Sequence, residues 1–138
     1  LIVIVNAHGA WGQKSTLERL AVEFSNETDS RVLYTMMDIF TEDFHPDFGH
    51  GTLIETSIIR YLHDEHVRLG DLPPREVPLK YTDWGIADDS VFEGKRSEHD
   101  CVIFDPRDAT VELGRKCFEN AMDNLCRKVQ QAYIDVNR

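Results

Sequence analysis

Three side chains stand where chemistry is easiest to build. His8 follows the aliphatic run Leu1 to Val5 by three residues, in the stretch Asn6-Ala7-His8-Gly9. An imidazole in a loop at the carboxyl end of a buried strand suits a metal ligand or a proton carrier. The competing reading is a histidine that only hydrogen-bonds within its own turn. His50 lies between Gly49 and Gly51 and leads into Thr52-Leu53-Ile54-Glu55. Free amides at a helix start favour an anion, and flanking glycines let backbone approach a ligand closely. Asp47, three residues upstream, is placed to orient that imidazole. Glu55 completes a T-x-x-E capping box, which by itself explains the residue. The other histidines read as weaker candidates. His63 and His66 sit among Asp64 and Glu65 on a solvated helix end, His45 precedes Pro46 in a loop, and His99 lies between acids.

These side chains need elements to hold them. Leu1 to Val5 is continuously aliphatic, which predicts a strand buried on both faces. Ser15-Thr16-Leu17-Glu18 reads as a capping box, and Leu17, Leu20, Ala21 and Phe24 follow at helical spacing. Arg31 to Phe40 is the next strand, so strand, loop, helix and strand form a βαβ unit with parallel strands. The loop after the first strand is where open α/β sheets place ligands. Ile54, Ile58, Ile59 and Leu62 predict a second helical stripe. Pro73, Pro74 and Pro78 make the following segment extended and irregular. Tyr81 to Asp100 has no clean period and reads as a long excursion, a candidate lid or contact. Cys101 to Phe104 predicts a short strand, and Asp105-Pro106-Arg107-Asp108 an ion-paired turn. Asp108 is the expected N-cap of a long last helix, whose stripe is Leu113, Cys117, Ala121, Leu125, Val129, Ala132 and Val136. Alternating order gives an α/β layered fold, but three strands leave a parallel sheet with a bare edge.

The 138 residues carry a formal net charge of -10. A surface that acidic argues against nucleic acid or an anionic membrane as partner. No apolar stretch approaches the roughly 20 residues of a membrane span. Cys101, Cys117 and Cys126 are odd in number and lack C-x-x-C spacing. Free thiols in a reducing cytoplasm are expected, with Cys117 and Cys126 as core filler.

Taken together, IVIVNAHG after a strand, HGTLIETS opening a helix and DPRDATVELG opening the last helix resemble the creatininase family in their order. The resemblance implies a layered α/β/α fold with a mostly parallel sheet, incomplete in this chain alone. It also implies a metal-dependent amidohydrolase that opens an amide or cyclic amide C–N bond with a metal-activated hydroxide. Carried onto this chain, His8 matches the metal-binding histidine of the N-G-H motif. Glu55 matches the site glutamate of E-T-S, as metal ligand or catalytic carboxylate. His50 matches the histidine that passes a proton to the leaving nitrogen, and Asp47 a substrate loop. The cofactor implied is a divalent metal, two ions of zinc, manganese or iron.

The pattern also departs from the family. No E-x-H-G segment is present, so the remaining metal ligands must come from outside this chain. Residues 1–138 are therefore expected to form the C-terminal part of one domain, its N-terminal part being a companion chain, with the assembled unit a homo-oligomer. Ala10 and Trp11 replace the residues that follow the motif histidine, so creatinine itself is not the expected substrate. Trp11 is instead expected to wall a pocket for a flat or apolar small molecule, with Gly51 at the substrate loop. Gly49 stands where creatininases have a glutamate. Two other readings of the chain are an inactive binding or assembly subunit and a biosynthetic relative that forms amides or opens rings.

Overall fold

The computed structural model describes residues 1–37, 39, 50–77, 79 and 104–137. Asp47, His45, His99, Cys101, the excursion at 81–100 and most of the strand expected at 101–104 lie outside the described residues. The chain forms two compact units, Leu1–Asp38 with Ala121–Arg138 and Ile39–Asn120.

In the first unit the expected βαβ order is present. β1 (Ile2–Asn6) leads to α1 (Trp11–Glu27) and then to β2 (Val32–Met36). β1 and β2 pair in parallel, from Ile2 opposite Val32 to Asn6 opposite Met36. Ser25 joins helix to strand: its Oγ donates to the Ala21 carbonyl at 2.7 Å and accepts from the Val32 amide at 2.9 Å.

Two expectations are corrected in this unit. α1 starts at Trp11, not at Ser15. The Gln13 and Lys14 amides both donate to the Ala10 carbonyl at 3.1 Å, so the first turn closes on backbone alone. Ser15 Oγ donates back to the Trp11 carbonyl at 3.0 Å, the bond of a serine inside a helix and not at its cap. β1, in turn, is not buried on both faces. Leu1, Ile2, Val3 and Val5 are 36–45% exposed. Among the described residues its sheet holds β1 and β2 alone, so one edge of β1 is bare. An open apolar trough of about 420 Å³ lies between this sheet and α1, lined by Ile2, Ile4, Leu17, Leu20 and Phe24.

In the second unit, α2 (Leu53–His63) packs against the start of α3 (Val111–Val136). Ile54, Ile58 and Cys117 are the core, with Ile39, Leu113 and Phe118 against it. Tyr61 and Phe118 meet as tilted rings 5.9 Å apart. The α2 stripe is rotated from the expected one: Leu53 and Ser57 are buried, while Ile59 and Leu62 are exposed. The cause lies on α3. A Cβ at position 114 would collide with the backbone carbonyl of Ser57, so Gly114 lets the helices close on the Ser57 side. Ser57 Oγ accepts the Thr110 amide at 3.2 Å, and Arg60 donates to the Ala109 carbonyl at 2.6 Å.

Asp108 does not cap α3. It lies in the 3₁₀ turn Pro106–Asp108 and pairs with Arg75. Thr110 takes the capping role, its Oγ1 accepting the Leu113 amide at 3.1 Å. The expected stripe of α3 is buried at Cys117 and Ala121, half-buried from Leu125 to Ala132 and exposed at Val136. Cys117 is buried in the core, but Cys126 is exposed and is not core filler.

Candidate active site

The loop that carries His8 is built by Asn6. That side chain is buried at the end of β1, and its Oδ1 accepts the His8 amide at 3.0 Å and Gln13 Nε2 at 3.0 Å. Its Nδ2 donates to the His8 carbonyl at 3.0 Å and to the Tyr34 hydroxyl at 3.1 Å. The amide thus clips the backbone of His8 on both sides while β2 and α1 hold the clip. This fixes the loop and leaves the His8 side chain exposed, with no hydrogen bond to its ring among the described residues. Asn6 is the positioning residue that spacing alone did not single out. Its signal was an amide side chain ending an aliphatic strand two residues before a histidine.

At the start of α2, Gly51 adopts φ 67°, a left-handed backbone that favours glycine. The capping box is altered there: Thr52 makes no side-chain cap bond, and the Gly51 amide donates to Glu55 Oε2 at 2.7 Å. Thr56 Oγ1 donates to the Gly51 carbonyl at 3.1 Å, so Gly51 is held at both its amide and its carbonyl. With one Glu55 oxygen committed to backbone, the other faces the imidazole of His50, Oε1 to Nδ1 at 3.7 Å. The pair is open to solvent, at 67% and 42% side-chain exposure. A carboxylate in the first turn is favoured by the positive end of the helix. Together they make an imidazole–carboxylate pair able to hold and hand over a proton.

Trp11 turns its side chain to solvent among the described residues. It is 79% exposed at the first residue of α1, with Lys14 Nζ 6.0 Å from its ring centre. Gly51 directly follows His50 in the chain, and Asp47 lies outside the described residues.

The D-P-R turn is framework. Asp105 caps it by accepting the Arg107 amide at 2.8 Å and pairs with the Arg107 guanidinium at 2.6 Å. Arg107 Nη1 also donates to the carbonyls of Pro73, Pro74 and Val77 at 3.1–3.2 Å. Both partners are mostly buried, so one ion pair ties the proline-rich segment to the foot of α3.

Among the described residues, one group of three metal-ligating side chains stands within ligating reach of one another: His63, Glu65 and His66, at the far end of α2. A backbone hydrogen bond at Glu65, then one from His63, holds the Glu65 carboxyl below its ordinary range.

Compared with known families, the chain matches over residues 1–129 the model described as "Creatininase: Creatinine amidohydrolase". No curated protein and no solved structure matches it.

Proposed function

The chain belongs to the creatininase family of metal-dependent amidohydrolases, and from that premise we propose that it acts on the C–N bond of an amide or cyclic amide in a small molecule. The observation that carries this reading is the pair at the start of α2, His50 Nδ1 facing Glu55 Oε1 at 3.7 Å beside the left-handed Gly51.

The donor set suits the divalent metal of the family. Imidazole and carboxylate together serve zinc, manganese or iron. His8 offers an exposed ring, and Glu55 keeps one oxygen free of its backbone bond. In this reading each of them is a donor to a divalent metal, with further ligands from a companion segment. When bound, the metal supplies Lewis-acid polarisation of the carbonyl. His50 carries the proton that the leaving nitrogen requires, because an amine is expelled readily only once protonated. Glu55 orients the imidazole and stabilises its charged form.

In this reading the companion segment adds to the edge of β1 that no described strand pairs. Unsatisfied backbone beside exposed aliphatic side chains is what an added strand covers, and Ile2, Val3 and Val5 offer that surface. With it the unit is the C-terminal part of one creatininase-like domain, which assembles as a homo-oligomer in the cytoplasm.

A panel of linear and cyclic amides, tested with metal-loaded protein, checks the reading. Hydrolysis should require metal and should fall with His8→Ala, together with the bound metal measured by elemental analysis. An inactive assembly subunit is favoured by one observation: the bond from Gly51 to Glu55 employs that carboxylate structurally. If His8→Ala and Glu55→Gln leave both metal content and turnover unchanged, that second reading stands. Product analysis separates hydrolysis from amide formation.

A further inference from the structure

We propose that the turn closing α2 is a surface site for a divalent transition-metal ion, held by His63 Nδ1, Glu65 Oε1 and His66 Nε2. It lies at the opposite end of α2 from His50 and Glu55, about 16 Å away by helix rise.

The backbone gathers the donors. At His63 it leaves the helix, with φ -153° and ψ 63°, and residues Asp64–His66 form a 3₁₀ turn. The Val67 amide closes that turn on the Asp64 carbonyl at 3.0 Å. Asp64 is turned aside to Arg60, Oδ1 to Nε at 2.7 Å, so its charge is met elsewhere. His63, Glu65 and His66 remain together, with the two imidazole rings 5.6 Å apart and tilted by 43°.

One carboxylate oxygen faces both rings. Glu65 Oε1 is 3.3 Å from His63 Nδ1 and 3.7 Å from His66 Nε2, and the three ligand atoms lie within 4.8 Å of one another. A hydrogen bond accounts for the shorter distance but not for the longer one. A tetrahedral ion with ligand bonds of about 2.1 Å sets its ligands about 3.4 Å apart, and the two separations from Glu65 Oε1 bracket that value. The three side chains are 62%, 68% and 71% exposed, so an ion reaches them without opening the fold and keeps a position for water. Two imidazoles with one carboxylate select zinc, cobalt, nickel or copper over calcium or magnesium, which prefer oxygen. The acidic chain, at -10, concentrates cations around it.

The test is titration of the full chain with Zn(II), followed by calorimetry and by amide chemical shifts. Amides 63–67 should shift, and Co(II) should develop the strong visible absorption of a four-coordinate ion. His63→Ala with His66→Ala should lower the affinity of one metal equivalent by about 100-fold or more. Glu65→Gln should lower it less. Amide hydrolysis by the metal-loaded enzyme should not change in these variants. All three residues are exposed, so thermal melts should match the parent and separate lost binding from lost folding. Unchanged stoichiometry and affinity in the double variant would overturn the proposal. So would shifts that spare residues 63–67, or an equal response to Mg(II).

Discussion

Glu55 does two jobs with two oxygens, and substitution can separate them. Glu55→Gln keeps an oxygen to accept the Gly51 amide but removes the charge beside His50. It should leave the melting temperature near that of the parent while amide hydrolysis falls. Glu55→Ala should also cost the cap, about 0.5–2 kcal/mol of stability by chemical denaturation. If His50 carries the proton as proposed, His50→Gln should lower kcat by about 10²–10⁴-fold in steady-state assays. At this scale the sequence was informative where a residue has unusual neighbours: glycines around His50 and an N-x-H after an aliphatic run. It was least informative where a side chain acts through space. Nothing in the order Asn6-Ala7-His8 says that the Asn6 amide reaches Gln13 and Tyr34. Trp11 fits the same rule, since an aromatic residue beside a motif can face solvent when a helix starts at it.

The elements hold by joints more than by periodicity. Gly114 and Ser57 form the tightest, where α3 leaves no room for a methyl group against the Ser57 carbonyl. Gly114→Ala should cost about 3 kcal/mol or more by denaturant titration, because helix backbones must separate to admit it. Ser57→Ala should cost about 1–3 kcal/mol, the price of leaving the Thr110 amide without its acceptor. Arg107→Ala strands a mostly buried Asp105 carboxylate and frees three carbonyls. About 3–5 kcal/mol should be lost, with faster proteolytic cleavage at 73–77. The first turn of α3 has a pH signature. A hydrogen bond from Arg115, then its charge, holds the Glu112 carboxyl below its ordinary range. A lowered folded pKa stabilises above the unfolded pKa and is lost as pH falls through the folded one. Thermal melts below about pH 4.5 should therefore decline less steeply in Arg115→Met than in the parent. Helical spacing located α2 and α3 but misjudged which side of α2 is covered and what caps α3. Spacing reports which residues are apolar, not where a glycine lets a neighbour approach.

At the scale of the whole molecule, the β-α-β order and its parallel pairing were legible because aliphatic runs and glycine loops are strong local signals. Burial of β1 was not, because a strand's composition reflects every surface it was shaped to meet. Here Ile2, Val3 and Val5 meet solvent. If that edge carries the contacts of assembly, Val3→Lys with Val5→Lys should shift sedimentation toward smaller species and weaken capture of a companion segment. Equal sedimentation of variant and parent would place the contacts elsewhere. Among the described residues no helix is long and apolar enough to cross a membrane. The meeting of Ser57 with Gly114 separates ancestry from chemistry. Both belong to the stretches by which the chain is counted as kin, E-T-S and D-P-R-D-A-T-V-E-L-G, yet their work is to seat one helix on another. A lineage could exchange its substrate, or abandon turnover altogether, and still pass these residues on unchanged. If the proposed roles hold, those cousins that still catalyse would be told apart at His8, His50 and Glu55.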